Sequence, residues 1–276
     1  MHAVPSPSVS NRTFLAPKVP AVFALFWVAK LLTTGIGETG SDYLGTVNLA
    51  LAAIVGLGGF GLALRAQLRA ESYHPVRYWV TVLMVAVFGT MIADGPHVVL
   101  GTPYYVDSAV YLALLVGVLA WWQRSEGTLS VHSITTARRE RLYWLTVLLT
   151  FGLGTALGDT TDANLGMGFL WSIALFAVLI VVPLVAWRLG VNAVVCFWAS
   201  YSLTRPLGAS VADWLAHRAP AGLGLGTGPV TAVGLVLFVA IVAYLTITHA
   251  DTEPEVLGHH EAVPTPAALS EVDDPA

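Results

Sequence analysis

The sequence predicts an all-α, polytopic integral membrane protein: eight transmembrane helices built from four tandem, parallel two-helix repeats. Three observations carry this. Of 276 residues, 56% are hydrophobic and 11% charged, with a mean hydropathy of +0.72, far from the balance of a soluble domain. Eight apolar stretches are each long enough to cross about 30 Å of hydrocarbon. An aromatic-Trp pair recurs four times, each followed by Gly ten and Asp fifteen residues after the Trp.

The four sets are Phe26-Trp27/Gly37/Asp42, Tyr78-Trp79/Gly89/Asp94, Tyr143-Trp144/Gly154/Asp159 and Phe197-Trp198/Gly208/Asp213. By composition both offsets should be met about three times in a thousand per Trp, so four hits mean an internal repeat. A Leu-Gly step after each Asp (Leu44-Gly45, Leu100-Gly101, Leu165-Gly166, Leu225-Gly226) extends the unit. Each repeat is thus two apolar stretches around an acidic, Gly-rich turn.

In chain order, residues 1–19 form a Pro/Ser-rich cytoplasmic tail without the features of a cleavable signal. The transmembrane region covers 20–250, with spans near 20–38, 44–64, 77–93, 104–122, 141–158, 164–187, 192–212 and 228–248. Its repeats run from about 20 to 64, 77 to 122, 141 to 187 and 192 to 248. Lipid demands internally satisfied backbone, and the short alternating segments of a barrel are absent, so the spans are helices. Residues 251–276, rich in acidic residues and prolines, read as a disordered tail.

Basic residues set the orientation. Arg12 and Lys18, then Arg65, Arg69 and Arg77, then Arg124, Arg138, Arg139 and Arg141, and finally Arg188 all fall on one side, whereas Arg218 is the one basic residue in an opposite connection. This places a multi-pass protein in the cell membrane with both termini cytoplasmic. Two spans per repeat then give all four repeats the same polarity. The single Cys196 forbids an intrachain disulfide and a cysteine metal cluster. No phosphate loop, catalytic-serine motif, zinc-protease motif or nucleic-acid signature is present.

Fifteen helical residues after each Trp is about 22 Å, which puts Asp42, Asp94, Asp159 and Asp213 at one depth in the outer third of the membrane. Tyr78-Trp79 and Tyr143-Trp144, next to cytoplasmic arginines, read as headgroup anchors. Each Asp alone could be a helix cap or turn residue. As a set, with Glu38, Asp107 and Asp162 nearby, they should face a cavity, share protons or bind a cation. Carboxylates with hydroxyls such as Thr34 are hard oxygen donors, suited to manganese, magnesium, calcium, sodium or protons. The four glycines either let helices approach closely or end the first helix inside the membrane, and Pro96 and Pro206 favour breaks in repeats two and four. Lys30 and Arg205 lie deeper. They either pair with Glu38 or an Asp, or act as a movable counter-charge or an anion clamp.

The segments Lys30–Glu38, Gly154–Asp159 and Ala199–Asp213, above all Thr204-Arg205-Pro206-Leu207-Gly208-Ala209, resemble a bacterial integral-membrane family of uncharacterised membrane-anchored proteins built from a repeat of unknown function. The resemblance covers residues from about 20 to 248 and implies the topology. It carries no activity, so function rests on the residues.

The reading they favour is a non-enzymatic secondary transporter or exporter of a small hard cation, a manganese-class divalent metal first, with proton coupling admitted. Asp42, Asp94, Asp159, Asp213 and Glu38 would be the metal ligands, Asp162 and Thr34 would assist, and Lys30 and Arg205 would set occupancy. The cation is cargo, with no tightly bound cofactor. Expected partners are the bilayer and the transported species, with no nucleic acid, and a homo-oligomer is compatible with the sequence. The alternatives are an anion or small-metabolite carrier using Lys30 and Arg205, an intramembrane metal-dependent hydrolase using Asp94 and His97, and a scaffold.

Overall fold

The structure, a computed structural model, describes residues 17–252. Among these residues every regular element is helical. Helix α1 spans Ala24–Val47. Helix α2, Leu49–Ala53, runs through a π turn at Ile54–Gly58 into α3, Gly59–Arg69. Then come α4 (Pro75–Leu100), α5 (Tyr104–Glu126), α6 (Ala137–Asp159, followed by a π turn at Thr160–Asn164), α7 (Phe169–Arg188), α8 (Ala193–Ala216) and α9 (Thr227–Thr248). With α2 and α3 taken as one rod, the repeats form four pairs of rods.

Local chemistry sets many of the ends. Pro75 opens α4, where its missing N–H costs nothing, and Asn192 accepts from the Val194 and Val195 amides to cap α8. Gly101 and Gly127 close α4 and α5 in the left-handed conformation, φ 67° and 73°. Six rods are long and apolar enough to cross a membrane: the α2–α3 rod, α4, α5, α6 with its π turn, α7 and α9. Helices α1 and α8 are equally long at 24 residues each but carry Lys30, Glu38 and Asp42, and Arg205 and Asp213.

The first helices of the repeats form a closed inner ring in which α1 and α6 each pack against both α4 and α8. Each outer helix covers the first helix of the next repeat: α3 lies on α4, α5 on α6, α7 on α8, and α9 returns to α1. The ring is sealed at two levels by one rule. Phe26 meets Trp79 (ring centroids 5.6 Å apart), Tyr78 meets Trp144 (5.6 Å), Tyr143 meets Trp198 (6.1 Å) and Phe197 meets Trp27 (5.9 Å). Ten residues beyond each Trp, glycine takes the neighbour. A Cβ on Gly37 would lie 2.5 Å from the Ala86 Cβ, on Gly89 2.8 Å from that of Phe151, on Gly154 2.4 Å from that of Arg205, and on Gly208 1.7 Å from the Thr34 hydroxyl.

These contacts correct several expectations. Of the two readings open for the glycines, close approach holds and a break does not: α1, α4, α6 and α8 run on through the helix–helix contacts that the missing side chains allow. Pro96 and Pro206 lie inside α4 and α8 without ending them. The acidic segments expected as turns are consequently helical, with Asp42, Asp94 and Asp213 inside helices and Asp159 at the end of α6. The aromatic-Trp pairs are not headgroup anchors: Tyr78, Trp79, Tyr143, Trp144 and Trp198 are buried in the main core, because each ring has a ring of the next repeat to pack against.

The two described ends meet on one face, where the Ala21 amide donates to the Asp251 carbonyl at 2.9 Å. Asp251, read as the start of a disordered tail, is instead buried and accepts a hydrogen bond from the Tyr73 hydroxyl. The remainder of that acidic tail and most of the N-terminal tail lie outside the described residues.

Candidate functional site

Inward-facing positions of the ring helices follow from the i, i+4 rule: residues three, seven, eleven and fifteen after each Trp share one face. At three residues stand Lys30, Val82, Val147 and Tyr201, and at seven Thr34, Ala86, Phe151 and Arg205, all buried. At eleven stand Glu38, Thr90, Thr155 and Ala209, also buried, and at fifteen the four aspartates, half-buried. The axis is thus a column that starts apolar and aromatic at the Trp end and becomes acidic at its mouth.

At the mouth, Glu38, Asp42 and Asp213 can each place a carboxylate oxygen within 4.8 Å of the other two. Asp94 and Asp159 sit close enough to Glu38 and Asp42 to feel their charge. The four aspartates and Glu38 therefore converge on one region. Asp162 stands apart in the π turn after α6, where the His217 ring is its neighbour.

One turn deeper, the Arg205 guanidinium joins all four ring helices. Its Nη2 donates to Glu38 Oε2 at 2.6 Å, to the Thr155 hydroxyl at 2.8 Å and to the Thr90 hydroxyl, and its Nη1 donates to the Thr34 carbonyl at 2.9 Å. Arg205 is fully buried. Of the two pairings considered for the deep cations, Arg205 takes Glu38, which leaves Lys30 without it. The Lys30 ammonium instead lies over the Phe151 ring at 3.9 Å and the Tyr201 ring at 4.3 Å. It has no hydrogen-bond partner among the described residues. The Thr34 hydroxyl lies 2.6 Å from the Leu31 carbonyl of its own helix and 3.4 Å from the Thr204 carbonyl of α8, so this side chain is engaged by the joint between α1 and α8.

His97 and Asp107 belong to the α4–α5 connection. The His97 ring pairs with the Thr102 carbonyl at 2.7 Å and stacks on Tyr104, while the Thr102 hydroxyl donates to Asp107. They hold a turn together.

The opposite end of the column is closed by groups that sequence reasoning did not connect. Lys18 donates to Glu140 Oε2 at 2.6 Å, and Gln67 Nε2 donates to Glu140 Oε1 at 3.2 Å and to the Lys18 carbonyl at 3.4 Å. All three side chains are buried. Beside them, the Tyr73 ring packs on Tyr78. Burial and the neighbouring Asp251 carboxylate push the Tyr73 phenol well up, and burial raises the Asp251 carboxyl although the Tyr73 hydrogen bond draws it down. The available signal was Glu140, one acidic residue among Arg138, Arg139 and Arg141, three positions before an aromatic-Trp pair. Its partner, 122 residues away, carried none.

The family model described as Repeat of Unknown Function (DUF347) matches residues 77–128, 142–189 and 196–251. These segments are the second, third and fourth of the four repeats. No curated protein and no solved structure matches the chain.

Proposed function

Since the chain belongs to the DUF347 repeat family, whose name specifies no activity, we propose from its own residues that it is a membrane transporter of a small hard cation, a manganese-class divalent ion first. The observation that carries this reading is the convergence of Glu38, Asp42 and Asp213 within 4.8 Å at the acidic end of the inner helix ring. Bonds of about 2.0–2.2 Å to a magnesium- or manganese-sized ion put ligand oxygens about 3–4.3 Å apart, within reach of small side-chain rotations. Asp94 and Asp159 bring two further carboxyl groups, hard oxygen donors, into electrostatic reach of that cluster. Water would complete the shell, since such ions keep several waters. All eight rods cross the membrane in this reading, and the arginine-rich face that also holds both described ends is cytoplasmic.

The carrier reading is preferred to the anion clamp because both deep cations are engaged, Arg205 by Glu38 and three further oxygens, Lys30 by two aromatic faces. It is preferred to the hydrolase because His97 is held by Thr102 and Tyr104. The test is equilibrium binding of Mn2+ to the purified full chain. Wild type should bind, and Asp42→Asn combined with Asp213→Asn, which keeps size and removes charge, should not. Equal binding by the double variant would sink the assignment.

A further inference from the structure

Glu38 belongs to two arrangements at once. It is one of the three carboxylates at the mouth, and it is the ion-pair partner of Arg205 at 2.6 Å. An arriving divalent ion and the guanidinium are alternative partners for it, since two cations on one carboxylate in a dry site repel each other. We propose, resting on the cation reading above, that Arg205 is a tethered surrogate cation: it holds Glu38 while no ion does. Ion binding takes Glu38 from it and loosens the joint that pins the four inner helices together.

Three features support this. The joint is built for one residue: a Cβ on Gly154 would lie 2.4 Å from both Cβ and Cγ of Arg205, so the glycine provides the slot that lets the side chain cross the bundle. The same guanidinium reaches α1 through Glu38 and Thr34, α4 through Thr90 and α6 through Thr155, so releasing it affects every ring helix. The network is also incomplete, because Arg205 Nε has no hydrogen-bond partner among the described residues. A joint serving stability alone gains little from a buried ion pair, which packed apolar side chains often equal, whereas an exchangeable pair needs the charge.

Binding and pairing are then linked reciprocally: whatever strengthens the hold of Arg205 on Glu38 weakens the ion, and the reverse. The test is Mn2+ titration of the detergent-solubilised full chain, free Mn2+ being read by electron paramagnetic resonance. Arg205→Gln, which removes the competitor, should bind Mn2+ about tenfold more tightly than wild type or better, the scale of one charge-assisted contact. Thr90→Ala and Thr155→Ala leave every charge in place and only loosen the guanidinium, so they should tighten binding about two- to fivefold, a smaller neutral-acceptor effect. These two variants carry the test if Arg205→Gln does not fold. If wild type binds Mn2+ and the threonine variants bind equally or more weakly, Arg205 is a staple and this inference fails while the cation reading stands. If wild type binds no Mn2+, both fail.

Discussion

At the acidic end of the inner bundle, four aspartates stand at one offset from four tryptophans, half-exposed and within electrostatic reach of a shared Glu38. At the other end, the aromatic-Trp pairs are largely buried, and Lys18, Gln67 and Glu140 roof them with a buried clasp. Both ends derive from the same repeat, yet one gathers its carboxyl groups at a partly exposed rim and the other has shut its ion pair in completely. The difference teaches where repetition is used. Packing of rings and glycines is repeated because a closed ring needs every joint. In the cation reading proposed above, the aspartates are repeated because one carboxylate binds a divalent ion poorly and several in one place bind it well. Between these levels the repeats diverge, and there Lys30, Glu38 and Arg205 occur once each on the axis.

The largest effect should appear where the closed end relies on its rings. Trp79 is fully buried between Phe26 and Tyr78, whereas Trp27 is only half-buried. Trp79→Ala should cost about 3–5 kcal/mol, and Trp27→Ala clearly less. Thermal unfolding in detergent measures both, and equal losses would mean that the ring is symmetric in energy as well as in sequence.

The clasp comes next. Lys18→Met strands Glu140 in a buried site and should cost about 3–5 kcal/mol, while Lys18→Met with Glu140→Leu, which removes both charges, should recover most of it. A double variant no better than the single one would show that the clasp is not a two-charge unit.

Much of this was legible and some was not, for physical reasons. The Trp, Gly and Asp offsets recur at fixed spacing, so the repeat, the helical class and the matching places of the aspartates within the repeats could be read directly. That the ring helices run on past Gly37, Gly89, Gly154 and Gly208 could not, because glycine at a close contact and glycine at a break are the same residue, and the neighbour decides. The displaced pairing, in which α3 covers α4 and α9 returns to α1, is likewise a tertiary fact. The offsets put Asp42 and Asp213 at matching places in their repeats, but that they meet Glu38 in one place, and which partner Arg205 takes, stayed open until the bundle closed. Lys30 turned to rings from α6 and α8 that its own helix does not announce.

Smaller changes sharpen the comparison further. At Gly37 an added methyl would meet the Ala86 Cβ at 2.5 Å and its carbonyl carbon at 2.8 Å, so two helix backbones must part. Gly37→Ala should therefore cost about 1–3 kcal/mol in spite of the helix propensity gained. A more stable variant would show that the contact yields easily.

The smallest expected effect lies in the joint between the chain ends. Burial raises the Asp251 carboxyl above its ordinary 3.8. A carboxyl raised in the folded state contributes stability below its unfolded value and loses that contribution as pH rises through the folded one. Wild type should thus lose about 1 kcal/mol or less relative to Asp251→Asn between strongly acid and neutral pH, read from paired melting curves. Parallel curves would remove Asp251 from the pH response.

The central claim concerns the open end, and ion movement tests it most directly. Full-length protein is reconstituted in vesicles that enclose a Mn2+-sensitive dye, and entry is followed for wild type, for Asp42→Asn with Asp213→Asn, and for Lys18→Met with Glu140→Leu as a control at the opposite end. Wild type should move Mn2+ well above protein-free vesicles, and the aspartate variant should fall to that background while keeping its fold. Failure of wild type to move Mn2+, Mg2+, Ca2+ or Na+, or aspartate variants as fast as wild type, would contradict the cation assignment.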